Sequence, residues 1–157
     1  MQKITPFLWF DTQAEEAARF YVSLFKNSSI GQVSRYGDGG PGPKGQAMVV
    51  GFELDGVKFT ALNGGPVYKF TEAISLQVDC QDQAEIDQLW EKLTADGGEG
   101  GRCGWLKDRF GLSWQVVPAN MGQLIGGDDP AKASRAMQAM MQMGKLDIAA
   151  LQKAREG

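Results

Sequence analysis

The sequence predicts an α+β fold of two βαβββ modules that form a curved incomplete barrel, followed by a helical C-terminal extension. One observation is the order strand, helix and three strands, which can be read twice along the 157 residues. Another is a helix-start signature that occurs in both halves, TQAE at 12–15 and DQAE at 82–85. Because neither module is large enough to close alone, we expect two sheets side by side, with helices outside and a cleft within.

The elements of the first module follow from apolar spacing and turn residues. Apolar residues at helical spacing predict a helix over 14–26, with Thr12 as its N-cap and Glu15 completing a capping box. The DG pair at 55–56 is a strong hairpin signal, and the Gly- and Pro-rich stretch at 37–45 predicts a loop. Strands are expected over 4–10, 30–36, 47–54 and 57–63.

The second module repeats this order. Residues 73–80 alternate between apolar and polar side chains, as expected of a strand with one buried face. The helix that follows residue 82 has an apolar face, and GGEGG at 97–101 predicts a flexible break. Two further strands are expected over 103–108 and 112–118, around a turn at 109–111.

The remaining tail is helical in pattern. Asp129 is a predicted N-cap with Pro130 in the first turn, Gly144 ends this helix, and a second helix begins near Asp147. Four methionines give the tail a soft apolar surface that we expect to pack on its own chain or on a partner subunit: Met137, Met140, Met141 and Met143. The predicted organisation is a first module at 1–66, a second module at 67–120 and a helical arm at 121–157, within one structural domain.

Composition excludes several function classes. The net charge is −3 without a basic stripe, which argues against a nucleic-acid partner. The chain contains no histidine, which excludes mechanisms that need a histidine as general base and metal sites that need a histidine as ligand. No signal-peptide pattern and no membrane-spanning apolar run is found, and we expect a cytoplasmic protein with no membrane partner. The two cysteines, Cys80 and Cys103, are expected to be reduced and largely buried.

Several stretches resemble the PhnB-like branch of the vicinal oxygen chelate superfamily, which includes glyoxalases, bleomycin-resistance proteins and extradiol dioxygenases. The stretches are ITPFLWFD, AEEAARFYVSLF, RYGDGGPGP, FTALNGGP, EAISLQVDC, CGWLKDRFGLSWQVVP and the tail DPAKASRAMQAMMQMGKLDIAAL. Members of this branch often carry a demethylubiquinone methyltransferase label. The resemblance implies paired modules around a cavity, frequent dimers, and in the enzymes a divalent metal held by His and Glu side chains from the first and last strands of each module.

Strand alternation indicates which side chains face the cleft. A zinc, iron or manganese site needs three or four imidazole, thiolate or carboxylate ligands, whereas these faces offer hydroxyls, amides and one carboxylate. Gln115 stands about where the superfamily places its last metal ligand, but one amide does not make a site. We therefore predict no metal and no cofactor, in a cleft lined by Thr5, Phe7, Trp9, Thr60, Leu62, Ser75, Gln77, Asp79, Trp105, Lys107, Ser113 and Gln115.

The sequence does not predict a nucleotide-binding or S-adenosylmethionine-binding motif. GDGGPG at 37–42 matches the spacing of a dinucleotide-binding loop, but a strand rather than a helix follows it, so we interpret it as a hairpin loop. The sequence shows no βαβ half-domain of the kind that binds S-adenosylmethionine, and the methyltransferase label gains no support from the residues.

The hairpin at 103–118 can be interpreted in two ways. Trp114 is expected in the core, whereas Trp105 could join Trp9 and Phe7 in an aromatic wall. Asp108 and Arg109 flank the turn and predict a local ion pair. Lys107 is either a solvated lysine or, in an apolar cleft, a base with a lowered pKa or a Schiff-base amine.

Three functions remain open at this point. The first is a metal-free binding protein for an unknown small molecule, working as a homodimer whose modules pair within one chain or by domain swapping. The second is an enzyme acting on a small carbonyl or aromatic metabolite, with an acid or base drawn from Asp79, Glu53, Lys107, Tyr21, Tyr36 and Tyr68. The third is a dimeric interaction module with a vestigial cleft.

Overall fold

The computed structural model describes all residues, 1–157, as two compact units, 1–70 and 71–157. The first unit contains β1 (Phe7–Phe10), α1 (Ala14–Leu24), β2 (Ser29–Arg35), β3 (Ala47–Leu54) and β4 (Val57–Asn63). The second contains β5 (Ser75–Cys80), α2 (Gln83–Thr94), β6 (Glu99–Gly100), β7 (Trp105–Lys107), β8 (Ser113–Pro118), α3 (Met121–Ile125), α4 (Pro130–Met140) and α5 (Ile148–Glu156). None of the helices has both the length and the apolar character needed to cross a membrane.

Each unit has one four-stranded sheet, and the two sheets have the same topology. The strand orders are β1-β4-β3-β2 and β5-β8-β7-β6. In each sheet the first strand of the module pairs in parallel with the last, and the other pairs are antiparallel. The predicted α+β class with two βαβββ modules and C-terminal helices is therefore confirmed.

Small side chains let α1 approach its sheet closely. Ala14, Ala17, Ala18 and Tyr21 are all buried on one face of the helix, which packs against β3 and β4. The facing strands contribute alternate apolar side chains to this core, namely Leu8, Phe10, Val50, Phe52, Phe59 and Ala61. The opposite face of this sheet is thereby left for other contacts.

The start of α1 is not capped as the sequence suggested. Gln13 occupies the N-cap position without a side-chain cap, so the prediction of a Thr12 capping box is wrong. Instead, the Ala14 amide donates to Oδ1 of the buried Asn63 at 2.8 Å, and Asn63 Nδ2 donates to the Ala47 carbonyl at 2.8 Å. A residue distant in sequence thus satisfies an amide that the first turn leaves unpaired.

The two-residue turn between β3 and β4 agrees with the DG signal. Asp55 and Gly56 both have positive φ, 46° and 82°, as this tight hairpin requires. Leu54 and Val57 are register partners immediately on either side of the turn.

The second core forms beneath α2, whose predicted cap is confirmed. Asp82 Oδ1 accepts a hydrogen bond from the Glu85 amide at 2.9 Å, and Glu85 Oε2 accepts one from the Gln81 amide at 2.8 Å. The buried residues of this helix face the buried face of its sheet, and the core comprises Ile86, Leu89, Leu93, Leu106, Trp114 and Val116.

The stretch 97–101 is not only a flexible break. Glu99 and Gly100 form β6, which pairs with Lys107 and Leu106 of β7. Gly100 is required here because a Cβ at this position would lie 2.8 Å from the ring of Trp90. The sequence pattern missed this strand because four of the five residues in the stretch 97–101 are glycine, which is depleted in strands.

The C-terminal helices pack on one another and belong to the second unit. As predicted, Asp129 caps α4 by accepting from the Ala131 and Lys132 amides. The second helix, α5, begins near Asp147 as expected, and Asp147 caps it by accepting from the Ala150 amide. The short helix α3 was not predicted. Buried side chains anchor the arm to the unit, namely Leu124, Ala136, Leu146 and Leu151.

Candidate functional site

In the first unit, the predicted cleft residues of β1 and β4 share one face of the sheet. Phe7 is the register partner of Thr60, and Trp9 is the register partner of Leu62. Their neighbours in sequence, Leu8 and Ala61, are buried on the helix-facing side. Thr5 lies before β1 and is exposed, so it belongs to the segment that leads into the strand.

Trp9 is fixed by contacts within its own unit. Its indole Nε1 donates to the Gly65 carbonyl at 2.9 Å, and the edge of its ring meets Tyr68 with the ring centroids 4.9 Å apart. Gly64 has to be glycine because a Cβ there would lie 2.3 Å from the indole ring. Much of the Trp9 side chain thus serves to fold residues 64–68 back against β1.

In the second unit, the predicted cleft residues again share the face opposite α2. The register partners across β5 and β8 are Ser75 with Ser113 and Gln77 with Gln115. On the other side of β8, Trp105 pairs with Gln115 and Lys107 pairs with Ser113. Because paired residues point to the same side, these six side chains form one surface, which we call the β8 face. The β8 face comprises Ser75, Gln77, Trp105, Lys107, Ser113 and Gln115.

The β8 face contains a buried hydroxyl without a partner. Ser113 is 1% exposed, and its Oγ makes no hydrogen bond in the structure. Nearby, Gln115 Nε2 donates to Ser75 Oγ at 3.0 Å, so its amide oxygen remains available as an acceptor. Native structures satisfy the great majority of buried polar side-chain atoms, and an exception requires an explanation.

Lys107 pairs with Glu72 across the edge of this face. Its ammonium contacts Glu72 Oε1, and both side chains are partly exposed. The hydrogen bond from Lys107 lowers the pKa of the Glu72 carboxyl, and the same bond raises the pKa of Lys107. The hypothesis of a Lys107 base with a lowered pKa is therefore wrong, because an opposite charge stabilises the protonated form.

The other candidate acids and bases do not gather at one site. Gln77 Nε2 donates to Asp79 Oδ1 at 2.8 Å on an exposed part of β5. Tyr36 donates its hydroxyl to the Asn63 carbonyl at 2.9 Å, whereas Tyr21 is fully buried against the first sheet. Glu53 lies in β3 as the register partner of Lys58 and Ser29, and Tyr68 packs on Trp9.

The residues of the β8 face do not fit the divalent metal that the resemblance implies. The first and last strands of this module present two serine hydroxyls and two glutamine amides where imidazoles and carboxylates would be needed. Nowhere in residues 1–157 do three or more Cys, Asp or Glu side chains come together as a metal-binding group. No chemical step is therefore assigned to a metal.

The turn at 109–111 is organised by Asp108 rather than by charge pairing alone. Asp108 is 3% exposed, and its carboxylate accepts hydrogen bonds from the Phe110 and Leu112 amides and from Trp114 Nε1, at 2.8, 3.1 and 2.9 Å. The Arg109 guanidinium lies 4.7 Å from the centre of the Phe110 ring. Trp114 is buried as predicted, and its polar partner was not foreseen.

The two thiols are free, and Cys80 is chemically quiet. Burial, followed by the negative charges of Glu85, Asp79 and Asp82, raises the pKa of Cys80 to about 12. A thiol with so high a pKa is protonated at neutral pH and is a poor nucleophile. Cys103 is half-buried, so the prediction that both thiols are largely buried holds fully only for Cys80.

The second unit also contains a cavity that the sequence did not predict. A cavity of about 450 Å³ lies between the start of α2, the residues after β8 and α5. Its polar lining is made of side-chain amides together with Asp82, and none of the predicted cleft residues contributes to it. The amides are those of Gln81, Gln83, Asn120 and Gln152.

Comparison with known proteins identifies a matching family model and similar solved structures. A family model described as 3-demethylubiquinone-9 3-methyltransferase matches residues 2–117. A solved structure described as a PhnB protein from Bacillus cereus is 39% identical, with a TM-score of 0.69 over 74% of this chain and 99% of that chain. The tail at 129–151, which we grouped with the resembling stretches, lies outside the residues that the family model matches. No curated protein matches the chain in sequence.

Two more distant structures share the fold. A protein from Pseudomonas aeruginosa is 21% identical, with a TM-score of 0.61 over 75% of this chain and 98% of that chain. The fosfomycin resistance protein FosX from Listeria monocytogenes, solved with Mn(II) and sulfate, is 13% identical, with a TM-score of 0.52 over 78% of this chain and 93% of that chain. These two structures show a shared fold alone. The family model and the Bacillus cereus structure show that the chain belongs to the PhnB-like family, whose model is described as 3-demethylubiquinone-9 3-methyltransferase.

Proposed function

We propose that this protein binds a small organic molecule on the β8 face without the help of a metal ion. The observation that carries the proposal is the Ser113 hydroxyl, which is buried and has no hydrogen-bond partner. Such a group costs free energy in the unliganded protein, on the order of 1–3 kcal/mol. Ser113 is closed to solvent in the unliganded protein, so a ligand reaches its hydroxyl only when neighbouring side chains move aside. The hydrogen bond that then forms recovers that cost, which favours binding.

The neighbours of Ser113 suggest the chemistry of the ligand. Trp105 offers a half-buried aromatic surface, and the free oxygen of the Gln115 amide is an acceptor on the adjacent strand. Lys107 is the cross-strand neighbour of Ser113, and its ammonium pairs with the exposed carboxylate of Glu72. A flat molecule with a hydroxyl or carbonyl group and a carboxylate could replace Glu72 at Lys107. Salicylate has these features in minimal form and serves as a probe.

The proposed binding does not include methyl transfer or metal catalysis. The family description names a methyltransferase, but the contacts of the β8 face are hydrogen-bonding and aromatic. The donor set of hydroxyls and amides also supports binding in the absence of zinc, iron or manganese. None of the candidate acids and bases supports an enzyme in its place.

The test uses thermal unfolding of chelator-treated protein in a panel of aromatic hydroxy and keto acids that includes salicylate. Binding to the folded state raises the apparent stability by mass action. We expect a stabilising compound for the wild type and for Ser134→Ala, an exposed serine that serves as the control, but a loss of that stabilisation in Ser113→Ala. Stabilisation only after addition of a metal ion, or equal stabilisation of Ser113→Ala, would contradict the proposal.

We further propose that two copies of the chain associate through the first unit, in a reducing cytoplasm where both cysteines stay free. Two observations support this proposal. The strand β1 lies at the edge of its sheet. Large apolar side chains are exposed in β1, just before it, and in the segment that packs on Trp9, namely Phe7, Ile4, Val67 and Tyr68. Scattered apolar residues are common on surfaces, but a group of this kind is typical of an interface. Sedimentation of the wild type and of Phe7→Ser tests this. We expect a wild-type dimer that Phe7→Ser weakens, and a wild-type monomer at micromolar concentration would contradict the proposal.

A further inference from the structure

The C-terminal arm holds the segment that leads into β7. The Cys103 amide donates to the Met143 carbonyl at 2.8 Å, and the Gly104 amide donates to the Gly144 carbonyl at 2.9 Å. From the other side, the Gly104 carbonyl accepts from the Val116 amide of β8 at 2.8 Å. Backbone hydrogen bonds thus hold the residues directly before Trp105 between the arm and β8.

This segment has a backbone conformation that needs such support. Cys103 has a φ of 58° and Gly104 a φ of 84°, so two successive residues are left-handed. Residues other than glycine seldom adopt this conformation unless their surroundings hold them in it. The fit is also close, since a Cβ on Gly104 would lie 2.9 Å from the Val116 carbonyl oxygen and 3.0 Å from Leu146 Cδ1.

Gln83 fastens the arm to α2. Its Nε2 donates to the Leu146 carbonyl at 2.9 Å, and its Oε1 accepts from the Ile148 amide at 2.8 Å. Leu146 is completely buried. Its neighbour Lys145 forms an ion pair at 2.9 Å with Asp87, which lies in α2 one turn after Gln83. The Gln83 side chain therefore links α2 to residues 146–148, and residues 143–144 in turn hydrogen-bond to the segment before Trp105.

We infer that the arm positions Trp105 for ligand binding, with Gln83 as the positioning residue that keeps the arm in place. The consequence for binding rests on the proposed function, whereas the positioning itself follows from the hydrogen bonds. The family model stops at residue 117, so the arm lies outside the shared region. The β8 face of this chain thus depends on an element that the family match does not include.

The first experiment tests the positioning without any ligand. Gln83→Met keeps the length of the side chain. It removes both hydrogen bonds to the arm, together with the one that Nε2 donates to Asp87 Oδ1 within α2 at 2.9 Å. Gln88→Met on the exposed side of α2 is the control. We expect the Cys103 and Gly104 amides to exchange about tenfold faster or more in Gln83→Met, and the Trp105 indole resonance to shift. The control should match the wild type. Unchanged exchange and an unchanged Trp105 resonance would overturn the inference, as would faster exchange spread equally over the second unit.

A second variant keeps the test decisive if Gln83→Met folds poorly. In Gly144→Ala, the new Cβ would lie 3.1 Å from the Gly101 carbonyl oxygen, which presses the arm away from the segment. We expect the same local pattern, with a shifted Trp105 resonance and fast exchange confined to residues 101–107. Gly122→Ala, where a Cβ meets no atom within 4 Å, is its control. A Trp105 resonance that stays in place in Gly144→Ala would contradict the inference.

Titration with salicylate then connects the positioning to binding. We expect the dissociation constant of Gln83→Met to rise about fivefold or more, which corresponds to a modest loss of binding free energy. An unchanged constant alongside a shifted Trp105 would overturn the link between arm and ligand. Failure of wild-type protein to bind salicylate or any panel compound at Ser113 would instead contradict the proposed function, and the exchange experiment would still decide the positioning.

Discussion

The two sheets have the same strand order and pairing but opposite kinds of chemistry on the face away from their helices. In the first unit this face carries Phe7 and Trp9, and the indole of Trp9 is already engaged by Gly65 and Tyr68. In the second unit the β8 face adds the hydroxyls and amides of β5 and β8 to Trp105 and Lys107, and Ser113 Oγ has no hydrogen-bond partner. The repeated topology therefore determines which residues share a face of each sheet. The side chains determine the rest, since a buried hydroxyl without a hydrogen-bond partner is found at Ser113 of the second sheet.

The hairpins that close the two sheets provide the largest expected contrast. The β3–β4 turn relies on backbone conformation at Asp55 and Gly56, whereas the turn after β7 relies on the buried Asp108 carboxylate. We expect Asp108→Ala to lower the free energy of unfolding by about 3–5 kcal/mol, because it leaves Trp114 Nε1 and two amides without their acceptor.

Urea denaturation measures this effect. The matched variant is Asp55→Asn, which should change the free energy of unfolding by less than about 0.5 kcal/mol because asparagine also tolerates the left-handed conformation. Equal losses in the two variants would show that the hairpins do not differ in the way described.

The two helix starts give the next contrast. Asn63 serves α1 from a distant strand, and Asp82 serves α2 locally. Asn63→Ala should cost about 2–3 kcal/mol because it removes one buried acceptor and one buried donor. Asp82→Ala should cost about 1 kcal/mol, the usual cost of losing an N-cap. Thr12→Ala should leave the free energy of unfolding almost unchanged in the same measurement. A loss of stability equal to that of Asp82→Ala would contradict the structure and show that Thr12 does cap α1.

A smaller effect of opposite sign is expected at Ser113. Because its hydroxyl is buried without a partner, Ser113→Ala should leave the unliganded protein as stable as the wild type or more stable by up to about 1 kcal/mol. Ser75→Ala, which removes the acceptor of the Gln115 amide, should be mildly destabilising. Thermal unfolding without ligand measures both variants. A clear loss of stability in Ser113→Ala would mean that the hydroxyl has a structural partner.

The smallest expected effect is a pH dependence in the first unit. Hydrogen bonds from Arg35 and then Arg19 lower the pKa of Glu15 to about 2 from 4.5. A carboxyl with a lowered pKa contributes stability that is fully present above pH 4.5 and is lost as the pH falls toward 2. Because the arginines are partly exposed, the contribution is expected to be about 1 kcal/mol or less.

Glu15→Gln should therefore flatten the decline in stability between pH 4.5 and pH 2, as followed by urea denaturation at a series of pH values. Glu91→Gln on the exposed surface of α2 is the control and should retain the wild-type slope. If Glu15→Gln also retained that slope, the pairing with Arg35 would not contribute to stability.

Local patterns predicted the fold well, because alternation and turn residues act over short distances. The β5 alternation, the DG turn, the caps at Asp82 and Asp129, and the start of a second C-terminal helix near Asp147 are all confirmed. Features that depend on distant partners were missed or wrong. Asn63 replaces the expected cap at Thr12, and β6 forms from glycine-rich residues through pairing with β7. The hydrogen bond with Glu72 raises the pKa of Lys107, which the sequence pattern did not indicate.

The candidate site was predicted in part for the same reason. Alternation was enough to place Ser75, Gln77, Ser113 and Gln115 on one face of the second sheet. It could not show that the Ser113 hydroxyl lacks a partner, or that Gln83 ties the C-terminal arm to the segment before Trp105, since both follow from tertiary contacts.

The most direct test of the central claim is a two-dimensional NMR titration of the chelator-treated wild-type chain with salicylate and the related acids. The account predicts that a compound binds without added metal and that the shifted signals are those of Ser113, Gln115, Lys107 and the Trp105 indole. Shifts confined to the amide-lined cavity around Asn120 and Gln152, or binding that appears only with a divalent metal, would contradict it.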